Sequence, residues 1–363
     1  MRTKTRTATG KQLPFPAAFL LLSLVCLLSA CNGYNAQSSV PPQERVNVFG
    51  TNANHPHSLL VFPGKVILLA THYGLFRSED DGATWRVVAA GPGQIMDGLM
   101  TYSMVSSPLD SQRIYVLSQP TDKASKGTPG LYMSTDQGAT WHMSIAAESI
   151  TANNIFLVAA GNSSADEVYI YLNNLGNLGL KVSTDGGQSF TQTAPLPFPM
   201  ITSLLAVPGL PGTLLAGGPN GLARSTDGAA HWQKIPGISG SIYELTATGP
   251  GSPIYASGDS GIFVSKDGGK TFSLVFSKYT LNSLTAAPGN PRILYGRTGT
   301  AIFRSRDEGH TWDKLPALKG NYFNLTADPA NPEQVYLSES YPTAVFHFDH
   351  VSNSWKSLTP KPE

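Results

Sequence analysis

The chain has 363 residues, of which 41% are hydrophobic and only 13% charged, with 36 Gly, 27 Pro and two Cys. That apolar content excludes disorder over most of the length, the formal charge of +1 argues against a nucleic-acid partner, and two Cys exclude a disulfide-stapled scaffold.

Residues 1 to 12 carry Arg2, Lys4, Arg6 and Lys11 and no acid, and residues 15 to 28 form an apolar run broken only by Pro16 and Ser23. A basic stretch, a short apolar run and small residues after it are the signature of a secretory signal, and the run is short for a membrane span. We therefore expect a signal peptide over 1–30. Leu28-Ser29-Ala30-Cys31 resembles a bacterial lipobox. The resemblance implies cleavage before Cys31, acylation of that residue and anchoring on the extracytoplasmic face of a membrane. Residues 31–45, polar with a Pro pair, are expected to be the lipidated Cys and a flexible tether.

From residue 46 the chain repeats itself. Ser-x-Asp-x-Gly-x-Thr-Trp occurs complete at Ser78, Asp80, Gly82, Trp85, at Ser134, Asp136, Gly138, Trp141 and at Ser305, Asp307, Gly309, Trp312. Two copies end in Phe: Ser183, Asp185, Gly187, Phe190 and Ser265, Asp267, Gly269, Phe272. Another keeps Ser225, Asp227 and Trp232 but has Ala229 for Gly and His231 for Thr; a remnant runs from Asp349 to Trp355. Successive box serines are 56, 49, 42, 40 and 40 residues apart, and all five Trp fall at box ends. Three short apolar segments precede each box and a fourth follows it, with Gly and Pro between them. This reads as four antiparallel strands per unit and an all-β, single seven-bladed propeller over 46–358, with a tail over 359–363. The box serves the turn between the third and fourth strands. Its Asp accepts backbone N–H bonds, its Gly supplies positive φ, and its aromatic is expected to pack across the blade.

These boxes resemble the Asp-box, or bacterial neuraminidase, repeat family of β-propellers, and the layout is most similar to the lipoprotein assembly factors of photosystem II. The resemblance implies the propeller fold and places ligands on the face opposite the boxes, built from loops between second and third strands and between blades. The candidates there are His72, Tyr73, Asp97, Asn173, Asp259, Arg297, Glu339 and Tyr341. The 119–129 loop is long for a hairpin and is expected to contribute to partner contact.

A sialidase of this family needs three Arg around a carboxylate, yet only Arg297 stands on the expected face. A glycosidase needs a carboxylate pair, sought among Asp97, Asp259 and Glu339. Xyloglucanase-like members usually carry two propellers, more than this length allows. His55/His57 and His347/His350 are pairs without a third ligand, so no metal is expected, and no cofactor is implied. The expected function is a monomeric, non-catalytic, lipid-anchored binding or assembly module for a protein or glycan, with an extracellular glycoside hydrolase of sialidase-like type, using loop-face carboxylates, as the alternative.

Overall fold

A computed structural model describes residues 54–121, 125–150 and 155–359. The expected signal peptide, Cys31, the tether and most of the C-terminal tail lie outside the described residues.

The described chain forms 28 strands in seven four-stranded antiparallel sheets, each with its strands in sequence order. The blades span residues 56–87, 99–146, 155–192, 203–234, 242–276, 283–314 and 321–357. First strands of neighbouring blades touch all the way round, including blade 7 against blade 1, so the ring is closed. Side-chain hydroxyls link several of these inner strands. Ser58 donates to the Met104 carbonyl at 3.3 Å, Ser103 accepts from Val158 N at 3.2 Å, Ser203 accepts from Leu245 N at 3.1 Å, and Thr326 donates to the Leu59 carbonyl at 3.2 Å.

The second strands are mostly apolar and buried, and several are buried along their whole length, as in Ile67–Thr71, Val168–Leu172 and Ile254–Gly258. A sheet covered on both sides by its neighbours needs such continuous runs rather than alternation. The core accordingly lies between blades, in seven clusters. Every box aromatic packs in the cluster shared with the preceding blade: Trp141 between blades 1 and 2, Phe190 between 2 and 3, Trp232 between 3 and 4, Phe272 between 4 and 5, and Trp312 between 5 and 6. Trp355 follows the same rule between blades 6 and 7, and Trp85 between 7 and 1. The expectation that these rings pack across their own blade is corrected. They are the mortar between sheets, because two adjacent blades must bury their facing apolar surfaces against each other.

The box itself is a closed local network. In blade 2, Ser134 Oγ donates to Asp136 Oδ1 at 2.7 Å and accepts from Gly138 N at 2.8 Å. Asp136 also accepts from Thr140 N at 2.8 Å and from Thr140 Oγ1 at 2.6 Å, and Trp141 Nε1 donates to the Gly138 carbonyl at 3.0 Å. Blade 4 keeps the network with other residues. His231 Nδ1 lies 2.6 Å from Asp227 Oδ2 in place of the Thr hydroxyl, and Ala229 holds φ 72° where other boxes have Gly. That strained alanine buries its methyl in the core between blades 3 and 4.

The ring closes through side chains rather than by exchange of a strand among the described residues. Trp85 Nε1 donates to the Leu358 carbonyl at 2.7 Å, and Tyr336 OH donates to Asp81 Oδ1 at 2.5 Å.

Candidate functional site

First strands begin, and second strands end, on the face away from the boxes: Pro56 pairs with Thr71, Ile242 with Gly258, Ser283 with Arg297 and Asn321 with Ser340. The candidate residues therefore stand at one rim, and the structure separates them into groups with different roles.

Blade 1 carries a histidine cluster. His55, His57 and His72 place ring nitrogens within 4.8 Å of one another. His55 stacks on His72 at 4.9 Å between centroids and meets His57 edge-on at 4.6 Å. The backbone makes this happen. The pairing shifts between Pro56 and Ser58, so His57 is an extra residue in its strand, and a bulge of that kind re-aims the side chain it carries. His72 N donates to the His55 carbonyl at 3.0 Å, joining the two segments. Beneath them Asn54 is fully buried, accepts from the backbone of His55 and Tyr73 at 3.0 Å each, and donates to Thr71 Oγ1 at 3.1 Å. Thr101 Oγ1 continues the network, accepting from Thr71 N at 3.1 Å and donating to the Gly74 carbonyl at 2.9 Å. Tyr73, Tyr102 and Tyr341 wall the cluster, with Tyr341 OH 3.4 Å from His55 Nδ1. Burial, and then the neighbouring His72, push the His55 imidazolium down to about 4; burial is also the main cause that lowers His57. The sequence reading of His55 and His57 as an isolated pair is thus corrected: His72, fifteen or more residues downstream, brings a third imidazole beside them.

Blades 5 and 6 carry the charged group. Glu244, on the first strand of blade 5, is half-buried, and burial lifts its carboxyl to about 7 against a smaller opposing pull from Arg297. Arg297, at the end of the second strand of blade 6, is held down to about 10 by burial, with Glu244 acting the other way, and its Nε has no hydrogen-bond partner. Asp259, in the turn of blade 5, accepts from Ser241 N at 2.8 Å and from Tyr243 OH, the residue before Glu244. Sequence reasoning missed Glu244. Its one signal was an acid inside the apolar run Ile242-Tyr243-Glu244-Leu245.

The remaining candidates are structural or stand apart. Asp97 caps its own loop, accepting from Gly93 N at 2.8 Å, while its carbonyl takes Lys126 N and Gly127 N. Thr121 and Ser125 donate to the Gly98 carbonyl at 2.8 and 2.6 Å, so the described flanks of the 119–129 loop are stitched to this turn. Glu339 is 6% exposed, accepts from Gly320 N at 3.3 Å and is raised by burial; a Cβ at Gly320 would meet its carboxylate. Asn173 opens the 3₁₀ segment Asn173–Leu178 of blade 3, away from both groups. A cavity of about 320 Å³ lies elsewhere, on the box side between blades 4 and 5, lined by Val207, Leu210, Arg224, Lys266 and Lys270.

The BNR/Asp-box repeat profile matches residues 132–143, the second box with the end of its preceding strand. The chain carries an Asp-box repeat on a seven-bladed β-propeller. It is 29% identical over 237 residues to a xyloglucanase of Paenibacillus sp, an alignment covering 61% of this chain and 21% of that protein. The propeller thus spans about a fifth of the length of the curated relatives it matches. Among solved structures, an ancestral GH74 enzyme superposes with a TM-score of 0.64 at 14% identity, covering 88% of this chain and 48% of that one. YCF48 bound to D1 peptide superposes with a TM-score of 0.60 at 15% identity, covering 82% and 94%. Both likenesses bear out the propeller architecture. The expectation of a non-catalytic module is overturned by the xyloglucanase relatives, which favour its alternative, a glycoside hydrolase.

Proposed function

We propose that this propeller is a glycoside hydrolase acting on a polysaccharide of the xyloglucan class, with Glu244 as general acid and Asp259 as the partner carboxylate. The alignment with xyloglucanases carries the reading. Glycoside hydrolysis by two carboxylates needs one that holds a proton near neutral pH and one that attacks or activates water. Glu244, lifted to about 7 by burial, suits the first task. Asp259, fixed by Ser241 and Tyr243 on the same blade, suits the second. Arg297 beside Glu244 favours the carboxylate left after proton transfer. Aromatic rings at the rim, among them the 42% exposed Tyr341, offer faces on which sugar rings stack.

The test is reducing-end release from xyloglucan by the purified propeller. Glu244→Gln is expected to lower kcat by about 10²–10⁴-fold, the usual contribution of a positioned acid, and Asp259→Asn to do likewise. No release above blank by the unmodified protein, or full activity in both variants, would refute the assignment. We further propose a secreted monomer held at the envelope through acylated Cys31. Incorporation of labelled fatty acid that is lost in Cys31→Ala is the expected result, and unaltered labelling would exclude it.

A further inference from the structure

We propose that His55, His57 and His72 form a binding site for a divalent late first-row transition-metal ion, at the place where blades 1, 2 and 7 meet. The inference is independent of the hydrolase reading, which makes no use of these residues.

Convergence is the first argument. Three imidazoles from two separate segments bring donor atoms within 4.8 Å of one another. An ion bound at about 2.0–2.1 Å from each nitrogen needs donors somewhat closer than that, a closure that small side-chain rotations supply. Three hydrophobes would fill the same space at lower cost, since a buried ring nitrogen without a partner is penalised. His55 is 95% buried by its 5% exposure, and its Nε2 has no hydrogen-bond partner. A cation at the centre of the triad would satisfy that lone pair.

Support behind the donors is the second argument. Metal-binding imidazoles work when their backbone is fixed before the ion arrives. Here the bulge at His57, the bond from His72 N to the His55 carbonyl, and the buried Asn54, Thr71 and Thr101 network hold both segments in register. Pro56 between two of the histidines restricts that stretch further. A Pro flanked by histidines is not needed to build a first strand, since the other six blades form theirs without one, although several carry a register shift of their own.

Ligand chemistry names the ion. Imidazole donors suit zinc, copper, nickel and iron rather than calcium or magnesium, which prefer oxygen. Three protein nitrogens leave a fourth position for water, while Tyr341 OH, which approaches His55 Nδ1, stands on the ring nitrogen away from the ion as an outer-shell partner. Tyr341 belongs to blade 7 and Tyr102 to blade 2, so an ion held by these blade 1 histidines would lie beside side chains of both neighbouring blades.

The experiment uses the purified full chain, stripped with a chelator and titrated with Zn²⁺ and, separately, with Co²⁺. The expected result is one ion per chain with micromolar or tighter affinity, visible d–d absorption for the cobalt form, and a thermal midpoint that rises with ion concentration. Asn54→Ala should weaken binding by about 10–100-fold, as loss of outer-shell support does, and His72→Gln should weaken it more. His142→Ala, an exposed histidine on the last strand of blade 2, should leave affinity unchanged. Should His72→Gln not fold, histidine NMR of the unmodified protein decides, with three imidazole spin systems shifting together on adding Zn²⁺. Absence of stoichiometric binding, equal affinity in His72→Gln, or shifts confined to other histidines would overturn the proposal.

Discussion

Replacing Glu244 by Gln offers a test of the buried charge that needs no substrate. The carboxyl titrates near 7 in the fold against 4.5 ordinarily, burial being the main cause and Arg297 a partial offset already included. Between these values the folded protein keeps a proton that the unfolded chain has lost, so stability falls as pH rises from about 4.5 to 7. Above that window a shift of this size corresponds to about 3 kcal/mol at 1.36 kcal/mol for each pH unit. Because Glu244 is half-buried rather than sealed, about 2–3 kcal/mol is the expectation. Gln keeps the shape and removes the charge. Glu244→Gln should therefore match the parent at pH 4 and exceed it at pH 8, by roughly 3–5 °C in thermal midpoint for a chain of this size. Paired melting curves at the two pH values provide the measurement. An equal change at both, or a loss at pH 8, would show that Glu244 is not held in a poorly solvated site, and would remove the argument for it as a proton donor.

Trp141→Ala should cost about 3–5 kcal/mol, seen as a large drop in thermal midpoint, and Trp141→Phe clearly less, because the ring fills the space between blades 1 and 2; equal losses would refute the packing role. Bonds from Thr84 to Asp80, from Ser183 and Ser189 to Asp185, and from His231 and Ser225 to Asp227 pull these carboxyls from 3.8 to about 2. Their stabilisation is present above about pH 4 and lost as pH falls through 2, so denaturant midpoints should slope steeply there, and Asp185→Asn should flatten part of that slope. Tyr336→Phe and Trp85→Phe each delete one bond across the blade 7–blade 1 seam, worth about 0.5–1.5 kcal/mol. Hydrogen exchange should quicken in blades 7 and 1 before blade 4, and uniform quickening would contradict the seam.

The boxes were legible because their side-chain bonds lie within eight residues: Ser134, Asp136, Gly138, Thr140 and Trp141 satisfy one another locally, and the pattern repeats whatever the neighbouring blade contains. The face that carries the candidates followed from strand order. What escaped was set by distance along the chain. Trp85 and Leu358 are 273 residues apart, Tyr336 and Asp81 are 255 apart, and no local pattern announces either pair. His72 was legible as a residue of the candidate face but not as a neighbour of His55 and His57, because the bulge at His57 that turns the histidines together is a property of strand register. Glu244 was overlooked for the same reason. Its environment comes from Arg297 on the next blade, and its own segment shows only an acid among apolar neighbours. Asp97 and Glu339, chosen for their chemistry and position, are occupied with holding loops.

The seam between blades 7 and 1 has a topological consequence. Each sheet is built from consecutive strands, and no described strand is shared across the join. The cyclic arrangement has no privileged starting point. Joining the two described ends with a short linker and opening the chain at another inter-blade connection would give a circular permutant with the same wedges, the same contacts and the same rim, and only the clasp would have moved.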